Sequence, residues 1–126
     1  MISLINTIIK TMQYKLLLRR YDDFTICDYF VGLGAKIGKD CRISVRDLGN
    51  EPYLVTIGDH VSISSGVRFI THDGAVWLTQ NENPKIQYFA PIVIGSNCYI
   101  GEEAMLLPGV NRHDIFHLSG HVVLRF

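Results

Sequence analysis

The feature that most constrains this chain is a six-residue period. An aliphatic or aromatic residue returns at Ile37 and Ile43, at Ile57, Ile63 and Phe69, and at Ile94, Ile100 and Leu106. A second small or branched residue follows four positions after most of these, at Cys41, Val61, Val67, Cys98, Ala104 and Val110. Glycine stands directly after the first residue at Gly38, Gly58, Gly95 and Gly101. Six is not a helical period, and an alternating strand would be interrupted this often only by a turn. The pattern predicts a short strand followed by a corner, repeated, with both marked residues pointing inward and glycine easing the corner. Three hexads make one triangular coil, and coils stack through parallel pairing around a shared apolar core.

Two interruptions break the period. Ile43 and Ile57 stand 14 positions apart, so "RDLGNEPY" reads as a small protruding loop. Phe69 and Ile94 stand 25 apart, and the excursion "DGAVWLTQNENPKIQYFAP", residues 73–91, leaves the repeat there, with its loop over 74–92. A long insertion in a repeat architecture lies on one face, either as a binding surface or as cover for a neighbouring subunit.

Before the repeat, residues 2–20 place Ile5, Ile8, Ile9, Met12 and Leu16 at spacings of three and four, with Leu17 widening the stripe. This predicts an amphipathic helix ending near Tyr21 that packs on the body of the fold, the alternative being a helix on a membrane surface. Lys10 and Lys15 interrupt its apolar run, which argues against a targeting segment or a membrane span. The chain of 126 residues suits a single domain, 1–126. Its twelve basic and twelve acidic residues cancel, and no basic run is interleaved with aromatics, so nucleic acid is not an expected partner. Cys27, Cys41 and Cys98 are odd in number and far apart, which fits a reducing cytoplasm rather than a disulfide framework. Cys41 and Cys98 fall in inward slots and read as small core residues, not nucleophiles.

The order of hexads, then "THDGAVW", then a loop, then "APIVIGSNCYIGEEAMLLPGV" resembles the hexapeptide-repeat acyltransferases. Within them it is most similar to the O-acetyltransferases of sugars and polysaccharide precursors. The resemblance covers about residues 31–110. It implies an all-β fold, a left-handed parallel β-helix, with the N-terminal helix appended. It also implies acetyl-CoA as acyl donor, a homotrimer, a glycan or other small acceptor, and no metal. In that family a histidine just after a run of hexads, at the base of the loop, is the general base, and His72 matches it. An imidazole suits removal of a hydroxyl proton near neutral pH, with direct attack on the thioester and no acyl-enzyme.

The other site residues carry alternatives. Asp73 either orients the histidine, lines the acceptor pocket or shapes the turn before Gly74; adjacent strand residues point to opposite faces, which counts against the first. His60, an integral number of hexads before His72, either contacts the acceptor or faces solvent. Trp77 and Tyr88 either stack on a sugar ring or bury themselves against the next subunit. Gly101, Glu102 and Ala104 are the expected contacts of the donor's pantetheine arm. O- and N-acetylation both suit a histidine base.

After Val110 the family pattern fails, and residues 111–126, "NRHDIFHLSGHVVLRF", read as an atypical tail. Leu118, Val122 and Leu124 return to the six-residue register, so the tail is either a frayed final coil or an abnormal end. This leaves a non-catalytic or donor-site-deficient trimeric scaffold as the second expectation. A zinc-dependent lyase of the β-helical carbonic anhydrase type stands third. His113, His117 and His121 are spaced by four, but Ser119, Gly120 and Val122–Val123 oppose a helix, and His72 has no companion histidine in residues 61–110.

Overall fold

The hexads form strands of only two or three residues, because a turn follows each inward pair. The protein is represented by a computed structural model that describes residues 1–75, 78, 87–112, 116–118 and 123–124. Two helices come first, α1 (Ile2–Leu18) and α2 (Ile26–Gly32). The strands that follow are β1 (Lys36–Ile37), β2 (Arg42–Ile43), β3 (Val55–Ile57), β4 (Ser62–Ile63) and β5 (Arg68–Phe69). Then come β6 (His72–Asp73), β7 (Tyr88–Phe89), β8 (Ile92–Ile94), β9 (Cys98–Ile100) and β10 (Met105–Leu106). The tail supplies β11 (Asn111–Arg112), β12 (Phe116–Leu118) and β13 (Val123–Leu124).

Among the described residues these strands lie in four small separate sheets. Three are parallel, in the orders β1-β3-β8-β11, β12-β9-β4-β2 and β13-β10-β5; the fourth is the antiparallel pair β6-β7. The register sets hexad residues on one another: Ile37 beside Ile57 beside Ile94, Ile43 beside Ile63 beside Ile100, and Phe69 beside Leu106. Nearly all these residues are buried, as are their partners four positions on, Cys41, Val61, Val67, Cys98, Ala104 and Val110. Ile37 is half-buried against the same core.

The expectation of an all-β, left-handed parallel β-helix is thereby corrected to a mixed helix-and-strand fold with short strands in small separate sheets. The physical reason is local. Left-handed backbone at Asp40, His60, Asn97 and Glu103 turns the chain sharply after the short strands, so no ladder runs on into the next. Close approach at these corners explains the glycines. A Cβ on Gly58 would come within 2.7 Å of the Ser96 backbone nitrogen, which no side chain tolerates.

Helix α2 has no counterpart among the sequence expectations. Asp22 Oδ1 accepts the N–H groups of Phe24 and Thr25, and Thr25 Oγ1 accepts that of Asp22, a reciprocal arrangement like a capping box. Those hydrogen bonds, from Thr25 and then Phe24, hold the Asp22 carboxyl below its ordinary range. The helix then buries Ile26 and Phe30, four residues apart on one face, against the start of the core. Asp23 accepts Ser44 Oγ at 2.9 Å and Arg46 Nη2 at 3.0 Å, tying this entry segment to the chain beyond β2.

Helix α1 ends at Leu18, close to the expected boundary, but it does not pack on the body along its apolar stripe. None of its residues is buried. It meets the body through Leu18, packed on the core, and through Tyr14, whose phenol is pushed above its ordinary pKa by burial and by Tyr29 and Asp47. Tyr14 and Leu18 are four apart and share one helix face, whereas Ile5, Ile9, Met12 and Leu16 lie on another. Among the described residues no helix is long and apolar enough to cross a membrane.

Ile63 is fully buried and sits in register between Ile43 and Ile100. Truncating it to alanine, Ile63→Ala, is expected to cost about 2–5 kcal/mol. The check is a lowered urea midpoint at unchanged slope; a midpoint within error of the parent protein would mean that this ladder does not carry the core.

Candidate functional site

The site forms where the two interruptions of the repeat meet. The first, between β2 and β3, does not protrude as its composition suggests. Val45 and Leu48 are buried and hold it down on the body. Asp47 Oδ1 accepts the Gly49 N–H at 2.8 Å, and Gly49 takes a left-handed φ of 87° directly against the Phe69 carbonyl. Only glycine fits that combination of conformation and contact. Beyond it, Pro52 opens the short 3-10 turn Pro52–Leu54, and Glu51 just before it, at φ −120° and ψ 72°, is kept out of helical backbone by the proline ring. Glu51 is thus delivered to a defined place.

The second interruption begins at β6. Thr71 is fully buried, and its carbonyl accepts the Ala90 N–H at 3.0 Å where the chain returns. In the antiparallel pair, His72 lies opposite Phe89 and Asp73 opposite Tyr88. Cross-strand partners share a face, so His72 and Phe89 occupy one side of this ribbon and Asp73 and Tyr88 the other. The rings of His72 and Phe89 stand 5.4 Å apart, tilted by 42°.

Glu51 and His72 come together here. His72 Nδ1 lies 2.9 Å from Glu51 Oε2, and the same oxygen accepts the hydroxyl of Thr71. The Glu51 side chain is only 13% exposed and that of His72 28%. Burial alone would push the Glu51 carboxyl up, but the hydrogen bonds from Thr71 and His72, with the charge of His72, hold it below the usual carboxylate range. An ionised carboxylate only accepts hydrogen bonds, so in the neutral imidazole Nδ1 carries the proton and Nε2 is left with its lone pair. His72 also lines a cavity of about 220 Å³ with Gly49, Asn50, Phe69, Ile70 and Thr71. An imidazole held in one tautomer by a half-buried carboxylate, beside a cavity, can take a proton from a bound hydroxyl.

The other candidates are placed as follows. Asp73 Oδ1 accepts the Ala75 N–H at 2.7 Å, so it shapes the turn around Gly74, while Glu51 is the carboxylate on the histidine. Tyr88 is half exposed on β7, beside the site. His60 sits on a different turn, where its Nδ1 meets Asn97 Oδ1 at 3.0 Å. Trp77 lies outside the described residues. Gly101 is buried, Glu102 is exposed and accepts Ser65 Oγ at 3.3 Å, and Ala104 is fully buried with its carbonyl taken by the Arg68 N–H. The thiols follow their expected burial. Cys41 and Cys98 lie in the core, and burial, with Cys41 and Asp28 nearby, pushes Cys27 up to about 11.

His113 and His121 lie outside the described residues and His117 is in β12, a strand rather than a helix. Among the described residues no group of three or more His, Cys, Asp or Glu is placed to hold a metal ion. Glu51 is the candidate site residue that sequence reasoning missed. Its available signal was a carboxylate directly before proline at the end of the first interruption.

No family model matches the chain, and no solved structure matches it. Over 81 residues it is 49% identical to Protein CapG of Staphylococcus aureus, an alignment taking in 62% of this chain and 47% of that protein. The chain spans about half the length of this curated relative.

A carboxyl whose folded pKa is depressed adds stability that is present above its unfolded value and is lost as pH falls through the folded one. Replacing it with a neutral isostere, Glu51→Gln, is expected to cost about 1–3 kcal/mol at pH 7. The difference should narrow once the pH falls below about 4, the ordinary carboxylate range. Urea unfolding across that pH range measures it; a gap that persists undiminished at pH 3 would assign the loss to packing rather than to the charge.

Proposed function

We propose that this chain is an acetyl-CoA-dependent O-acetyltransferase acting on a hydroxyl of a sugar or polysaccharide precursor. His72 is the general base and Glu51 the residue that positions it. The observation that carries the reading is the Glu51–His72 hydrogen bond beside a cavity, at the point where the chain leaves its repeat. The similarity of the hexads and of "THDGAVW" to sugar O-acetyltransferases adds the reaction class.

The acceptor hydroxyl donates to His72 Nε2 and loses its proton there as its oxygen attacks the thioester carbonyl carbon. The carbon–sulfur bond then breaks, and the departing thiolate takes the proton from the imidazolium. Glu51 accepts from Nδ1 throughout, which fixes the tautomer and stabilises the cation formed midway. Phe89 restricts the ring on its other flank. Asp73 and Tyr88 lie on the side of the ribbon opposite His72, so they, like His60, contact the acceptor only if a neighbouring subunit closes the site. In this reading the protein works in the cytoplasm as a homotrimer, with Gly101 and Glu102 along the donor's pantetheine arm.

One observation favours a second reading. Ala104, the third expected donor contact, is sealed in the core, which suits a trimeric scaffold that does not bind coenzyme A.

Coenzyme A release from acetyl-CoA is to be followed over a panel of sugars. His72→Ala should lower kcat about 10²–10⁴-fold, the worth of general-base catalysis. Glu51→Gln should lower kcat by about tenfold or more with KM unchanged, and Glu51→Asp should recover part of that loss. Turnover unaffected by His72→Ala would sink the assignment. A native chain that neither turns over nor binds coenzyme A would establish the scaffold instead.

A further inference from the structure

We propose that α1 is a docking helix for an anionic lipid bilayer, on which it lies flat without crossing. The observation is a helix fastened to the body by one face while its apolar stripe looks elsewhere. Ile5, Ile8, Ile9, Met12 and Leu16 are 49%, 50%, 46%, 58% and 57% exposed. Leu18, packed on the core, and Tyr14, itself 45% exposed, stand on the opposite side, where they wall an open cleft of about 510 Å³ with Val45, Arg46, Val67 and Arg68. A contiguous apolar stripe of this extent, left bare along a whole helix, marks an interaction surface.

The charges identify the occupant. Residues 1–21 hold four of the twelve basic side chains, Lys10, Lys15, Arg19 and Arg20, and none of the twelve acidic ones. The remainder, with eight basic and twelve acidic residues, is net negative. Lys15 borders the apolar stripe and can keep its ammonium at the headgroups while its stem lies along the acyl boundary, whereas Lys10 stands on the far side of the helix and adds charge at longer range. Arg19 and Arg20 follow at the end of α1, ahead of Asp22 and Asp23, and Asp23 is already engaged by Arg42 and Arg46. A second copy fits less well, because pairing the helices would bring eight cations together with no carboxylate from either helix. The acidic body faces away from an anionic surface, which orients the molecule with α1 against the bilayer. This inference does not depend on the acyl-transfer reading.

The full chain is to be co-sedimented with vesicles of phosphatidylcholine alone and of phosphatidylcholine with phosphatidylglycerol in equal parts, at low and at 0.5 M salt. Partitioning onto the anionic vesicles should exceed that onto the neutral ones by at least roughly tenfold and should fall at high salt. Ile9→Glu with Met12→Glu should abolish it. Lys10→Gln, Lys15→Gln, Arg19→Gln and Arg20→Gln together should reduce it to the neutral-vesicle level. Both variants change exposed positions, so an unchanged urea midpoint certifies that the body is intact. Equal binding to both vesicle types, or binding indifferent to the Ile9 and Met12 changes, overturns the proposal, as does no binding. If binding is absent and the Ile9–Met12 variant dissociates an oligomer in sedimentation velocity, the stripe belongs to a second copy.

Discussion

Strands of two or three residues cannot hold a sheet together by their own hydrogen bonds, so everything here depends on the in-register burial of apolar side chains across parallel neighbours. Ile57 lies between Ile37 and Ile94, and Ile63 between Ile43 and Ile100. A slip of one position would put Thr56, Ser62 and Tyr99 in the core and their buried neighbours outside, which the burial free energy forbids. The corners impose the complementary constraint. Residues such as Asp40, His60 and Asn97 adopt left-handed backbone there, and the small residues beside them let one turn approach the next.

That frame matters for function because both irregular segments are anchored to it at neighbouring places. Leu48 and Gly49 press the first against β5, and the Thr71–Ala90 hydrogen bond closes the neck of the second. Glu51 therefore reaches a buried threonine and a half-buried histidine at once, and a single carboxylate oxygen serves both. Sharing that oxygen has a chemical consequence. The carboxyl stays ionised despite its burial, and the ionised form dictates which nitrogen of His72 keeps its proton.

Charge is distributed as unevenly as apolar surface. The chain's zero net charge conceals a basic helix and an acidic body, and among the described residues the helix is also where the largest run of exposed aliphatic residues lies. Helix α1 is held by two residues of one face, so its position is set by Tyr14 and Leu18 while its stripe is left to another surface.

The inward residues were legible from the sequence because burial follows a local rule: a period of six can be read by counting, and the counted positions are the buried ones. The point where the chain departs after Phe69 came from the same count, while His72 as a candidate base came from the resemblance to the hexapeptide-repeat acyltransferases. Helix α2 was not legible, since a seven-residue helix with two buried contacts shows no period, and the all-β expectation failed with it. Nor was Glu51. It stands 21 residues before its partner, in a segment whose polar composition suggested a protruding loop. The sequence by itself determined which side chains go inside and where the chain leaves the repeat, because apolar burial needs only the right residue type at the right interval. Only the tertiary structure decided which carboxylate holds the histidine and which face of α1 stays bare. A hydrogen bond and a packed helix face both depend on where distant segments lie to within an ångström or two, and no local pattern encodes that.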